Sequence, residues 1–436
     1  MSEPARTPVT AQYREAFEAL RPSLRGSGTR RSAAFARFAE LGFPGSREEA
    51  WKYTSLRRLE SRRFAPADRE GALKAAVSLP AALGEHRLVL VNGHLREDLA
   101  NLASLPKGVR VRTLAEPRTD DTVAATVLGW PTGGGTERFA ALNAAMSADP
   151  LLIEVDAGVR CDGALHLVIL TAGAIATMSY PRVTVRLGAG SLARIVIHYV
   201  GDDAAEHFVA PVVEAELADG ADFHAYRLQA AGSRTFHIER IEAAVGAGAR
   251  LTVRDAQLGA ALARLDLNVA LVGRGAEAEL TGLFVADGAR HLDTHVHIAH
   301  RAVETRSLQD YRGVAANRGR AVFNGKSVVH EGAQKSNARQ SSRNLLLTPG
   351  AEIDTKPELE IYADDVQCSH GATTGQLDPA AMFYLRSRGL AESEARSALT
   401  RAFAGAVLSR IDLAPLASLM HDELDGRLVR LLEQQP

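Results

Sequence analysis

Only two of the 436 residues are cysteines, and one of them, Cys368, stands two positions before a histidine in the run DVQCSHGATTG from Asp365 to Gly375. On an extended chain residues i and i+2 face the same way, so the Cys368 thiol and the His370 imidazole can meet one metal ion or one partner surface. A structural zinc site wants four protein donors, and the sequence holds no second CxH or CxxC pair to supply them. A closed zinc site within this chain is therefore not expected. An open metal site completed by a second chain and a pair of buried structural residues both stay open at this point.

Two further groups could do chemistry. HLDTHVHIAH carries His291, His295, His297 and His300; on a strand the first three share a face and His300 takes the other, which suits either metal binding or a solvated strand surface. Asp364 and Asp365 precede the cysteine. Paired carboxylates on a β-solenoid are the equipment of a polysaccharide hydrolase or lyase, the alternative function of a different class. Adjacent residues on a strand point to opposite faces, however, so only one of the two could reach a cleft.

What must position these residues is a chain of 46.6 kDa, long enough for one large fold with smaller ends. The 51 basic and 52 acidic residues nearly cancel, giving no electrostatic reason to expect nucleic acid or an acidic membrane surface as partner. MSEPARTPVTAQYREAF has no apolar core of the signal-peptide kind, and no run of about 18 apolar residues follows. The expected location is the cytoplasm, where Cys161 and Cys368, far apart in sequence, need no disulfide.

Composition divides the chain into residues 1–87, 88–377 and 378–436. In the first part QYREAFEAL and SAAFARFAEL repeat apolar residues at helical spacing, and Ser46 is placed to cap a helix through REEAWKYTSLRRL, whose Trp51 and Tyr53 would anchor this end to the main body. The second part changes grammar to short alternating runs such as LHLVIL, RVTVRL, ARIVIHYV and RLTVRDAQL, separated by small-residue turns. Gly190, Gly220, Gly248 and Gly275 are 30, 28 and 27 residues apart, and Gly350 follows 75 later, room for two or three more turns. A period near 30 fits a β-helix or β-solenoid; a β-sandwich with similar hairpin turns is the other reading.

The third part is helical. Asp378, Pro379 and Gly389 supply a cap, a first helical residue and a stop. Leu399, Phe403 and Val407 form an apolar stripe on the next helix, and a last helix is expected to break near Gly426. These helices could cap the open end of the solenoid or offer an apolar groove to another protein.

The strings SLQDYRGV, VFNGKSVV, SNARQSSRNLLLTPGAEIDTKPELEIYADDVQCSHGATTGQLDP and MFYLRSRGL together resemble the SufB/SufD family of the SUF iron–sulfur cluster assembly system, and WKYTSL and the length are similar to its SufD branch. That resemblance implies a mainly β fold with α ends, a right-handed parallel β-helix flanked by N- and C-terminal helical domains. It also implies a scaffold subunit with no catalysis of its own, working with a SufB-like paralogue and a SufC-like ABC ATPase. A homodimer of the isolated chain is a further expectation. The family's CSHG motif falls on Cys368 and His370, which would help hold a transient iron–sulfur cluster shared with SufB, while Leu399, Phe403 and Val407 would bind the ATPase. The absence of a GxxxxGK[ST] phosphate loop agrees with ATP hydrolysis residing in a partner.

Overall fold

The structure is a computed structural model that describes residues 8–103, 105–114, 128–129 and 134–433. Alternating residues in the middle of the chain do build strands, and they build them at a fixed interval. In chain order these are β1 (Leu151–Val155), β2 (Arg160–Thr171), β3 (Arg182–Leu187), β4 (Leu192–Gly201), β5 (Val212–Leu217), β6 (Asp222–Ala230), β7 (Phe236–Val245) and β8 (Arg250–Gln257). They continue as β9 (Leu262–Leu271), β10 (Glu277–Ala286), β11 (His291–His300), β12 (Arg306–Ala315), β13 (Arg320–Val329), β14 (Asn337–Leu346), β15 (Glu352–Ile361) and β16 (Gln367–Gly375). Odd-numbered strands stack as one parallel sheet, A, and even-numbered strands as another, B. The molecule is thus a two-sheet β-solenoid of about eight coils, not a sandwich.

Pairing keeps one register along whole strands, as where Leu262 meets His291 and His291 meets Arg320, and it shifts in β2, between Arg160 and Ala164 against β4. Outside that irregularity residues stack on their counterparts about one period away. Inward rows such as Leu265, Leu267, Val269 and Leu271 fill the space between the sheets with one continuous apolar core. Where the chain turns from sheet A to sheet B, Gly190, Gly220, Gly248 and Gly275 adopt φ of 61–69°, a conformation that L side chains resist. Their N–H groups donate to the next coil, Gly190 to Asp219 O at 2.9 Å and Gly248 to Arg274 O at 2.9 Å. The series continues through Glu304 and Lys335, at φ of 63° and 60°. Gly350 is not its next member; it lies at the opposite corner, before β15.

Helices α1 (Pro8–Leu20), α2 (Gly28–Leu41), α3 (Arg57–Glu60), α4 (Arg69–Lys74) and α5 (Glu137–Met146) precede the solenoid. The strand His86–Val91 already joins sheet B beside β2, so the β region starts slightly before residue 88. Tyr13, Phe17, Phe35, Phe38 and Phe139 pack with Phe208 and Phe236 into a second core. Trp51 is 1% exposed, donates from Nε1 to Gly135 O at 2.9 Å and lies 4.1 Å beneath the Arg264 guanidinium, a cation–π contact. Tyr53, 43% exposed, does not share that anchoring role. Ser46 caps no helix either: its segment holds a 3-10 turn, Glu49–Trp51, with Glu48 at the N-cap, and then the short α3 with Leu56 at the N-cap.

After the solenoid come α6 (Pro379–Ser387), α7 (Glu392–Leu408) and α8 (Ala414–Glu433). Asp378 caps α6 through Ala380 N–H at 2.9 Å, and Gly389, at φ 95°, ends it. The last helix passes through Gly426 unbroken; burial of Leu424 and Leu428 on either side outweighs the roughly 1 kcal/mol propensity cost of one glycine. The helices do not cap the end of the solenoid. Outward-facing Leu283, Val285, Val314 and Leu345 make the outer face of sheet B apolar, and Ala404, Leu408, Leu416, Met420, Leu424 and Leu428 cover it. Among the described residues no helix is long and apolar enough to cross a membrane.

Candidate functional site

The strand that carries Cys368 and His370, β16, is the last of sheet B and has β14 as its one neighbour. Cys368 is in register with Ala338, and His370 with Gln340. Ala338, Gln340, Ser342 and Asn344 are buried and face the interior of the preceding coil. Cys368, His370, Ala372 and Thr374 continue that inward face onto the last coil, over which no further strand of the described residues is stacked. The period-two expectation therefore holds: thiol and imidazole point the same way, into the mouth of the solenoid.

Their surroundings differ. Cys368 is half-buried beside Val329, Ala333, Ala363 and Val366, and burial pushes its thiol above the ordinary cysteine range against the opposing pull of the Ala338 backbone. A thiol in that state is a neutral side chain until a metal takes the place of its proton. His370 is exposed. Asp364 and Asp365 are both exposed in the turn before β16, where Asp365 O accepts from Lys335 N–H and its own N–H donates to Gln334 Oε1 at 2.9 Å. These bonds use the Asp365 backbone to shape the corner, and both aspartates stay exposed.

Among the described residues no group of three or more His, Cys, Asp or Glu side chains is gathered for a metal ion. The histidines of β11 illustrate why. His291, His295 and His297 do share the outer face of sheet A and His300 does face inward, but each has a separate task. Thr54 Oγ1 lies 2.8 Å from His291 Nε2 and donates to Asp293 Oδ2 at 2.6 Å, tying the N-terminal segment to the sheet. His295 pairs with Asp293 at 2.9 Å. His300 is held between Thr305 Oγ1 and Ser307 Oγ, both at 2.8 Å. Burial lowers His297, with Lys326 and Arg301 adding to the effect.

Sequence spacing missed an ion cluster inside the solenoid. Arg227 donates to Glu239 and Asp255, each at 2.7 Å, and Glu239 also receives Tyr199 O–H at 2.6 Å and pairs with His237 at 2.9 Å. Burial alone would raise Glu239, but Arg227 and His237 outweigh it and hold the carboxyl at about 2. The cluster joins residues 12 and 28 positions from Arg227, a proximity that only the coil register creates. Its charged members pair with one another, which is the arrangement a structural ion cluster needs, while His237 Nδ1 is buried without a hydrogen-bond partner among the described residues.

The apolar stripe on α7 is largely committed as well. Val407 is 3% exposed, and the Phe403 ring lies 5.0 Å from the Arg312 guanidinium, whose Nη1 donates to Phe403 O at 2.6 Å. Leu399 is half-buried. The most exposed large apolar group at this end is on α6, where Phe383 is 75% and Tyr384 57% exposed; Tyr362, at 61%, is open on the last coil, and Val429 on α8 is exposed too.

Comparison with known proteins covers almost the whole chain. Residues 168–403 match the family described as the SufBD core domain of SUF-system FeS cluster assembly, and residues 10–167 match the SufBD protein N-terminal region. The chain is 33% identical to an iron–sulfur cluster assembly SufBD family protein of Synechocystis, over 95% of each chain. It is 30% identical to the iron–sulfur cluster assembly protein SufD of Escherichia coli over 90% of each, and 26% identical to a SufBD family protein of Mycobacterium tuberculosis over 90% of this chain and 91% of that one.

Proposed function

The chain belongs to the SufBD family of the SUF system of iron–sulfur cluster assembly, and we propose that it acts there as a non-catalytic scaffold subunit of the SufD kind. The observation that carries this reading is the position of Cys368 and His370: two metal donors on the inward face of a terminal strand, at an end of the solenoid that is left open. Two donors hold a cluster incompletely, and a second chain docked on that end, a SufB-like paralogue, supplies the rest. Thiolate suits iron–sulfur clusters and imidazole is the weaker substitute, so a mixed ligand set divided between two chains lets the cargo be built and then released. Residues 378–436 form the part to which a SufC-like ABC ATPase docks, with Phe383 and Tyr384 as open anchors beside the Leu399–Phe403–Val407 stripe. The assembly works in the cytoplasm.

The test is a complex reconstituted from this chain and its two partners, followed by visible absorbance and sizing. His370→Ala is expected to abolish the cluster signal while assembly and ATP hydrolysis persist, because one exposed imidazole contributes little to folding. Cys368→Ser is expected to be as severe if the sulfur ligates iron, since a neutral hydroxyl is a poor ligand, and mild if it is only a neighbour. A His370→Ala complex that assembles and still builds a full cluster overturns the role given to this end.

A further inference from the structure

We propose that Gln340 orients the His370 imidazole, a positioning role that rests on the reading of His370 as an acceptor of the cluster. Gln340 is 4% exposed, faces the interior of the penultimate coil and stands directly in register with His370 on the neighbouring strand, about 4.8 Å away by strand spacing. Its Nε2 donates to Gly325 O at 2.7 Å. The amide can lie that close because residue 325 has no side chain: a Cβ there would fall 2.1 Å from Nε2. A carbonyl only accepts, so the NH2 end of the amide must face Gly325 and Oε1 must be the other end.

That oxygen is buried and has no partner. The residue in register on its other side, Gln309, donates its Nε2 to Ser327 Oγ at 3.0 Å, has its own Oε1 buried without a partner, and leaves Gln340 Oε1 unmet. A buried acceptor without a donor is costly enough that most are satisfied. In the open direction the counterpart is His370, exposed and with no hydrogen bond to any described residue. A neutral imidazole carries one N–H. Donated to Gln340 Oε1, it commits one ring nitrogen to the interior and turns the lone pair of the other outward, toward the face where a second chain and the cluster would sit. This is how a metal-binding histidine is held in one tautomer by a carbonyl behind it.

The full metal-free chain, labelled with ¹⁵N-histidine and assigned with His370→Ala, gives the decisive spectrum in mildly alkaline buffer. His370 is expected to show one nitrogen protonated and one bare. In Gln340→Leu the two should average toward each other, whereas Gln309→Leu, an equally buried glutamine one coil deeper, should leave the His370 signals unchanged. In the reconstituted complex Gln340→Leu is expected to weaken iron binding about 10–100-fold, the range carried by groups behind metal-bound histidines, with Gln309→Leu as the control. Averaged nitrogens in the unmodified chain overturn the proposal, a result that stands even if Gln340→Leu does not fold; unchanged nitrogens in Gln340→Leu overturn it equally. If His370→Ala complexes still build clusters, the cluster reading fails while the tautomer measurement continues to decide what Gln340 does.

Discussion

At the scale of single residues, burial outside the candidate site makes its own testable demand. His166 and His198 lie against each other on neighbouring strands of sheet B, His166 Nε2 3.3 Å from His198 Nδ1, beneath the segment whose Leu83 N–H donates to His166 Nδ1 at 3.2 Å. Burial lowers His166 to about 3, with help from His198 and Arg87, and lowers His198 to about 4. Unfolded histidines take up protons near 6.5, so below that pH the unfolded chain binds protons that the folded chain refuses. The contribution of the pair is whole above about pH 6.5 and is lost as pH falls toward 4; by pH 5 the loss is on the order of 2 kcal/mol per histidine. Thermal unfolding between pH 7 and pH 5 should therefore slope less in a His166→Gln, His198→Gln double variant, whose amide oxygen can still accept from Leu83. Equal slopes would show that other groups govern the acid response. Such pairs are silent in the sequence, since His166 and His198 are 32 positions apart. Cys368 and His370 were legible because the two-residue period of a strand acts within one strand; Gln340, one coil away, was not.

At the scale of elements the strands and their spacing were readable, because in-register stacking repeats one local pattern eight times. The corner series faded where Glu304 and Lys335 took over a left-handed position that glycine had marked until then. The C-terminal helices were readable as helices, yet which surface they cover was not. An apolar stripe states that a helix face is buried and does not name its partner, and here the partner is the outer face of sheet B. This yields opposite expectations for two neighbouring helices. Val407→Asp would bury an unpaired carboxylate and should cost about 3 kcal/mol or more of stability. Phe383→Asp changes a group already 75% exposed and should leave the melting temperature nearly untouched. If α6 supplies the anchor for the ATPase, Phe383→Asp should nonetheless weaken its binding by about 2 kcal/mol, roughly 30-fold, as loss of an aromatic anchor does. Calorimetric titration with the ATPase separates the two effects. Undiminished binding by a folded Phe383→Asp protein would return the docking role to the rim of the Leu399–Phe403 stripe.

At the scale of the whole molecule the two ends of the solenoid are unlike. At the N-terminal end, Val109–Thr113 runs antiparallel to β1, and His86–Val91 with its partner His94–Leu95 closes sheet B. At the other end β15 and β16 each have a single neighbour, and among the described residues no helix crosses over them. A bare parallel edge of this kind is a template for another chain. The direction of its free groups follows from one hydrogen bond: Gln367 N–H donates to Ser336 O of the strand before β14 at 3.0 Å. In a parallel ladder donors alternate, so the N–H groups of residues 369, 371 and 373 also turn toward β14, and those of 368, 370, 372 and 374 turn to the open side. Ala372→Pro therefore removes a donor that the folded chain does not use, at an edge position where proline is tolerated. The unmodified chain is expected to pair, with a second copy of itself or with the SufB-like paralogue proposed above, and Ala372→Pro should abolish that pairing in sizing experiments while its melting temperature stays within a few degrees. Because His370 is untouched, the variant also separates assembly from ligation: it should build no cluster for want of a partner. Pairing that survives the proline would mean that the partner approaches through the faces of the solenoid and that Cys368 and His370 do not stand at a shared edge.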